Sequence, residues 1–114
     1  YDTMPKSSTI QFTVELDEQN VPERITWDAT DKPEDQSTET RSISLAIWDE
    51  EAKNTLRIDL WTKEMPVNDM KRFYIDCIGG LAQSVLRATG DEHMASEMNA
   101  LCERLVEHVR KNNS

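Results

Sequence analysis

The chain of 114 residues carries 22 acidic against 13 basic side chains, a net charge of −9. That length suits one domain of ordinary size, and an acidic chain repels phosphate backbones, which excludes nucleic-acid binding driven by charge. No apolar run approaches about 18 residues and no basic-then-apolar leader is present, so we expect neither a membrane span nor a signal peptide.

The large apolar residues Leu, Ile, Val and Phe number only 23 of 114, a level that borders on disorder when the charge is high. The charge is uneven, however. Residues 1–40 hold ten acids against three bases, whereas the remainder is nearly balanced. The acidity therefore belongs to the beginning of the chain, and the rest has the mixed surface charge of a folded protein.

The first methionine is Met4, which is followed by a small polar stretch. We interpret residues 1–3 as a cloning remnant and expect 1–7 as a whole to form a flexible N terminus. Residues 8–111 are expected to form a single domain, and 112–114 a frayed tail.

Strict alternation of apolar and polar residues over 10–16 predicts a half-buried first strand. The polar run 17–22 is typical of a turn, and 23–28 predicts the antiparallel partner strand. Pro22 must then lie in the loop or at the very start of the second strand.

The stretch 28–40 has no large apolar residue and predicts a mobile acidic loop. Its carboxylates could offer oxygen ligands to calcium, but the glycine of the twelve-residue calcium-binding loop is missing, so a solvated loop is the better interpretation. We regard the loop as a secondary element that steers a partner by charge.

Two further alternating runs predict a second hairpin that turns over residues 50–53. The register that closes this turn keeps all of its large apolar residues on a common face. The same register puts Trp48 and Trp61 on the opposite face, together with Arg57 and Asp59. The predicted pairs are Ile47 with Leu56, Leu45 with Ile58 and Ile43 with Leu60.

Past the second hairpin the apolar period changes from 2 to 3.6, which predicts two helices. Pro66 suits the first turn of the first helix, Gly90 its C-terminal end, and Asp91 the N-cap of the second. Gly79 and Gly80 predict a close backbone approach or a bend. The predicted apolar stripes are Val67, Met70, Tyr74, Cys77, Leu81 and Val85 in the first helix, and Met94, Met98, Leu101, Cys102, Leu105 and Val109 in the second.

The order of elements predicts an α+β domain in which strands come first and helices follow. We expect a four-stranded antiparallel sheet, made of two hairpins, with the two helices packed on one of its faces.

No catalytic, cofactor-binding or metal site is predicted. Structural zinc sites use ligand pairs about two to five residues apart, whereas Cys77, His93, Cys102 and His108 are separated by 16, 9 and 6 residues. We interpret the cysteines as small core residues of the helices. No glycine-rich phosphate loop or Gly-x-Ser-x-Gly motif is present, which leaves a hydrolase built on converging carboxylates as the enzymatic alternative.

The candidate site is the face that carries Trp48, Arg57, Asp59 and Trp61. Exposed tryptophan beside charged residues is typical of a protein-binding surface. This face would contact a partner protein or a second copy of the chain, or another segment of the same chain would cover it. The second helix is the rival surface for a homodimer.

The chain resembles the gliding-motility protein GldC family, from about residue 8 to residue 109. The stretches that carry the resemblance are IQFTVELDE at 10–18, VPERITW at 21–27, LRIDLWTKEMPVNDM at 56–70 and ATGDE at 88–92.

The resemblance implies a small cytoplasmic accessory protein of gliding bacteria, which supports the membrane-anchored gliding and secretion machinery. It implies no enzyme and brings no catalytic motif. We therefore interpret the chain as a non-catalytic protein that acts by contact with machinery proteins; a small acidic chaperone or adaptor for secreted motility components is the alternative.

Overall fold

The computed structural model describes residues 6–112. The predicted cloning remnant and the last two residues of the predicted frayed tail lie outside this range, whereas Asn112 still belongs to a helix. The elements are β1 Ile10–Leu16, β2 Pro22–Ala29, β3 Glu39–Thr40, β4 Ser42–Asp49, β5 Asn54–Trp61, α1 Val67–Thr89 and α2 Glu92–Asn112.

The α+β class, the antiparallel strands and the two C-terminal helices are confirmed. The single four-stranded sheet is wrong: β1, β2 and β3 form a three-stranded sheet, and β4 and β5 form a separate two-stranded ribbon. The reason lies in β3, whose Thr40 and Glu39 pair with Ile25 and Thr26. This short strand occupies the edge of β2 along which a strand of the second hairpin would have to run.

The first hairpin has the predicted strands, and Pro22 begins β2. Its register pairs Phe12 with Trp27 and Val14 with Ile25, so the apolar residues of the two strands lie side by side on one face. Ile25 is completely buried and is the centre of the small core of this sheet.

The predicted loop 28–40 is shorter in the structure, because β2 continues to Ala29 and β3 begins at Glu39. The backbone N–H of Trp27 donates to the carbonyl of Thr38 at 2.7 Å. Such pairing depends on backbone groups alone, so no apolar pattern in the sequence predicts it. Within the loop, the Lys32 ammonium lies 5.4 Å from the centre of the Trp27 ring.

The contacts divide the described chain into two units, which meet in sequence between Met65 and Pro66. The first unit contains all five strands and the second contains both helices. The single domain over 8–111 and the packing of the helices on a sheet face remain predictions.

The helix boundaries are confirmed. Pro66 precedes α1, Gly90 ends it in the left-handed conformation with φ 74°, and the Asp91 carboxylate accepts a hydrogen bond from the backbone N–H of Met94 at 2.9 Å. None of the described helices is long and apolar enough to span a bilayer.

The two helices pack against each other. Ala82 and Ala95 are the buried positions, whereas Val67, Leu81 and Met94 of the predicted stripes are half exposed or more. The predicted stripes are therefore wrong at these three positions and at Leu101, which is 37% exposed, whereas the other members of the stripes are half-buried.

The predicted close backbone approach is found at neither glycine: a Cβ at Gly79 would make ordinary van der Waals contact with the Cys102 sulfur at 3.9 Å, and Gly80 faces open space. The Cys102 thiol donates to the Ile75 carbonyl at 3.7 Å. Cys77 and Cys102 are half-buried free thiols.

Candidate functional site

The candidate site is one face of the β4–β5 ribbon. The ribbon has the predicted register, with Ile47 opposite Leu56, Leu45 opposite Ile58 and Ile43 opposite Leu60. Because side chains alternate between the faces of a strand, the intervening residues share the opposite face. We call that face the tryptophan face; it consists of Ser42, Ser44, Ala46 and Trp48 on β4 and of Thr55, Arg57, Asp59 and Trp61 on β5.

The two tryptophans lie at opposite ends of this face and on different strands. Trp61 stands across from Ser42, and Trp48 stands across from Thr55. Six residues separate the two ends, which corresponds to about 20 Å along the strands. Trp48 is 58% exposed and Trp61 is 51% exposed. The Trp48 end therefore presents a large ring beside the exposed Thr55, whereas the Trp61 end presents its ring beside Ser42, which is buried.

The centre of the face is a hydrogen-bonded cluster of Arg57, Asp59 and Ser44. The Arg57 guanidinium donates to both oxygens of the Asp59 carboxylate, at 3.1 and 3.0 Å. It also donates to the Ser44 hydroxyl, and that hydroxyl donates to Asp59, both at 2.6 Å. These hydrogen bonds hold the pKa of Asp59 below its usual range, and the bond from Arg57 has the largest effect. The cluster carries one charge of each sign and is neutral as a whole.

The Trp48 end is tied to the hairpin turn. The indole N–H of Trp48 donates to the Glu50 carboxylate at 3.0 Å, and the Lys53 ammonium lies 3.1 Å from the same carboxylate. The hydrogen bond from Lys53 lowers the pKa of Glu50 most, and the bond from Trp48 lowers it further. The polar atom of this indole thus has a partner within the chain, and the rest of the ring remains as apolar surface.

The Trp61 end borders a cleft of about 310 Å³ that is also lined by Val21, Pro22 and Lys63. The backbone N–H of Lys63 donates to the Pro22 carbonyl at 3.4 Å. This end of the ribbon is therefore tied to the beginning of β2.

The opposite face of the ribbon is uniformly apolar. Ile43 is buried, whereas Ile47, Leu56 and Ile58 are about half exposed. The alternation predicts core positions for all of them, and for these three residues the prediction is wrong in the described chain. Burial in the ribbon is confined to the end that lies away from the hairpin turn.

Metal-binding residues do not assemble into a site in the part of the chain that the structure describes. No group of three or more His, Cys, Asp and Glu residues among residues 6–112 could hold a metal ion. The carboxylates whose pKa departs clearly from the ordinary value, Asp17, Glu50 and Asp59, all have it lowered by hydrogen bonds and cationic neighbours.

A family model described as gliding motility-associated protein GldC-like matches residues 22–111. The chain belongs to this family. The matched region begins at β2 and includes the whole β4–β5 ribbon and nearly all of α2, so the tryptophan face is part of the GldC-like region. Searches of curated proteins and of solved structures give no significant match.

The four residues predicted for the site, Trp48, Arg57, Asp59 and Trp61, share one face as expected. Sequence reasoning did not assign Ser44 a role, although its position opposite Asp59 follows from the predicted register. The hydrogen bond between Trp48 and Glu50 was also not predicted. The two residues are only two positions apart, and this short separation could have indicated the bond.

Proposed function

We propose that this chain is a non-catalytic accessory protein of the bacterial gliding machinery, and that it acts by protein–protein contact through the tryptophan face. Membership of the GldC-like family carries the link to gliding motility. The arrangement of Trp48 and Trp61 at the two ends of one exposed face carries the link to protein contact.

The chemistry of the face suits a protein partner. Tryptophan and arginine are the residues that most often dominate binding energy at interfaces, where large rings fill pockets and exclude water. A buried charge is costly unless it is paired, and Arg57 and Asp59 already form a two-bond ion pair. The face can therefore be covered without leaving an isolated charge.

Three carboxylates are suited to hydrogen bonds and ion pairs and not to proton donation near neutral pH. A carboxylic acid that donates a proton near neutral pH needs a raised pKa, whereas the pKa values of Asp17, Glu50 and Asp59 are lowered. These groups accept hydrogen bonds and form ion pairs. The proposed partners are proteins of the gliding or secretion machinery on the cytoplasmic side.

The test replaces the chromosomal copy in a gliding bacterium with Trp48→Ala, Trp61→Ala or the double variant. We expect reduced gliding and reduced recovery of machinery proteins by affinity capture. The matched control is Leu16→Ala, because Leu16 is also 51% exposed but lies outside the face. Normal gliding of the folded double variant, or an equal defect in the control, contradicts the proposal.

A chaperone or adaptor for secreted motility components is the second candidate. The observation that favours it is the exposed apolar surface at Ile47, Leu56 and Ile58, since unfolded clients bind to apolar surface. This function predicts that the purified protein suppresses aggregation of an unfolded secreted motility protein. Suppression that is lost on Ile58→Ser but retained in Trp61→Ala would favour it over the main proposal.

A further inference from the structure

We infer that the occupant of the tryptophan face is a second copy of the same chain, related by a two-fold axis that lies between the two facing ribbons. The axis is perpendicular to the strands and passes between the pair Ser44–Asp59 and the pair Ala46–Arg57. This inference rests on the proposed function in one respect, the use of this face for protein contact, and it names the partner.

The charges of the face are self-complementary under this operation. The rotation exchanges the two ends of the ribbon while each strand stays on its own side. Because Asp59 and Arg57 are two residues apart on β5, on either side of the axis, Arg57 of each copy falls opposite Asp59 of the other. Two ion pairs within chains thereby become one network of four alternating charges, which Ser44 of each copy joins through its short bonds to both groups.

The shapes are complementary in the same register. Trp48 and Trp61 stand at opposite ends of the face and on opposite strands. The rotation therefore brings Trp48 of one copy beside Trp61 of the other at both ends of the contact. Thr55, which stands across from Trp48, is small and exposed, so it leaves room there for the Trp61 ring of the second copy. Ser42, which stands across from Trp61, is buried, so at that end the arriving Trp48 ring contacts Trp61 and not Ser42.

The other face of the ribbon lacks such a pattern. Ile47, Leu56 and Ile58 are apolar and uncharged, so any apolar surface would cover them equally well. Specificity comes from matched charges and from clashes with wrong partners, and of the two faces of the ribbon the tryptophan face is the one that carries both signs in fixed positions. This difference is why we assign the second copy to the tryptophan face.

The contact area between the two copies is small, so we expect the dimer to be weak. The face measures about 20 by 10 Å, and interfaces of low area belong to weak or transient complexes. We therefore expect a dissociation constant of about 1–100 μM. The dimer must be sought over a wide concentration range.

The test is sedimentation velocity of the purified full chain together with two charge-reversal variants, Arg57→Asp and Asp59→Arg. Each variant alone places like charges opposite each other across the axis, and we expect its dimer to weaken about 100-fold or more. A mixture of the two variants places two acids opposite two bases at both positions. We therefore expect the mixture to form a heterodimer, and the double variant Arg57→Asp/Asp59→Arg to form a homodimer again.

A wild-type chain that stays monomeric throughout the concentration range overturns the inference. So does a dimer that both charge-reversed variants retain, as would be found if the ribbons paired edge to edge or if α2 formed the contact. Trp61→Ala is the third variant, and we expect it to weaken the dimer about 30-fold or more, as loss of a large aromatic anchor does.

A second measurement needs no substitution and covers the case in which a charge-reversed chain fails to fold. Dilution of the wild-type protein should expose Trp48 and Trp61 and shift the tryptophan emission to longer wavelength over the same concentration range as dissociation. Emission that stays constant while the dimer dissociates contradicts the inference.

The outcomes separate this inference from the proposed function. A monomeric wild-type chain with a gliding defect in Trp61→Ala leaves the proposed function standing with a different occupant of the face. A dimer that follows the charge pattern, combined with normal gliding of its monomeric variants, leaves the dimer standing and removes the proposed function.

Discussion

The ammonium nitrogen of Lys63 lies 3.0 Å from the carboxylate of Asp17, so that an ion pair joins the turn after β1 to the residues that follow β5. The two residues are 46 positions apart in the chain. The same carboxylate also accepts hydrogen bonds from the backbone N–H groups of Gln19 and Val21, at 2.8 and 3.0 Å. One side chain thus shapes a turn and ties that turn to the end of the ribbon.

Substitutions at Asp17 should separate these two roles. We expect Asp17→Ala to lower the free energy of unfolding most, because it removes the acceptor of the turn and the ion pair together. Asp17→Asn keeps an acceptor oxygen for Gln19 and Val21 and should lose less, about as much as Lys63→Met. Urea unfolding followed by circular dichroism measures all three. Equal losses for Asp17→Ala and Asp17→Asn would show that the turn bonds contribute nothing.

The ion pair between Asp17 and Lys63 should contribute to the free energy of unfolding only within a defined range of pH. The hydrogen bond from the Val21 N–H lowers the pKa of Asp17 most, and the hydrogen bond from Lys63 has the next largest effect. Asp17 in turn raises the pKa of Lys63. In the unfolded chain these groups titrate at about 3.9 and 10.4. The pair therefore stabilises fully between about pH 4 and pH 10. Its contribution is lost at lower pH as Asp17 is protonated, and at higher pH as Lys63 is deprotonated.

The measurement for this window is the free energy of unfolding of wild type and of Lys63→Met as a function of pH. Because other carboxylates, such as Asp59, also have a lowered pKa, the difference between the two proteins is the quantity to follow. We expect it to be constant near neutral pH and to shrink in acid and in strong base. A difference that stays constant down to pH 2 would contradict the assignment.

Removal of the Thr62 hydroxyl should increase the stability of the protein. The residue is 3% exposed, and its hydroxyl oxygen is buried with no hydrogen-bond partner among the described residues. Thr62→Val removes the unsatisfied group at nearly constant shape, and we expect a gain of about 1 kcal/mol. Thr62→Ala is the control, because it also leaves a cavity and should gain less or lose stability. A loss on Thr62→Val, measured by the urea midpoint, would indicate that the hydroxyl has a partner.

Two glycines of α1 should respond to alanine in opposite directions. Gly80 lies inside the helix with no atom within 4 Å of the position of a Cβ, so Gly80→Ala should stabilise by about 1 kcal/mol. Gly90 ends the helix at φ 74°, where a side chain is strained, so Gly90→Ala should destabilise by about 1 kcal/mol. Thermal unfolding followed at the helical dichroism band compares them. Effects of the same sign would contradict the assigned backbone roles.

The features that could be predicted are those that one segment determines alone or with its neighbour. Alternation of Ile43, Leu45 and Ile47 determines which side chains share a face, and the register that turns over residues 50–53 matches all three to apolar residues of β5. The left-handed Gly90 and the capping Asp91 follow from the conformational preferences of those residue types. The four residues of the candidate site followed from the same register.

The remaining features depend on contacts that no local pattern encodes. Strand β3 has only Glu39 and Thr40 and is held by backbone bonds, so it lacks an apolar signal, and its presence changes the sheet. The buried positions of the two helices are Ala82 and Ala95, which a count of large apolar residues overlooks. The ion pair between Asp17 and Lys63 spans too long a stretch of chain to be read from spacing.

The order of the strand and helix pairs has a consequence for how the chain acquires its structure. Among the described residues, β1 pairs with β2, β2 with β3, β4 with β5, and α1 with α2, so each partner follows the other directly in sequence. Short loops close quickly, and chains dominated by such local pairings fold fast. During synthesis each hairpin can form as soon as its second arm leaves the ribosome. The bond from Lys63 back to Asp17 must wait until all five strands have been made.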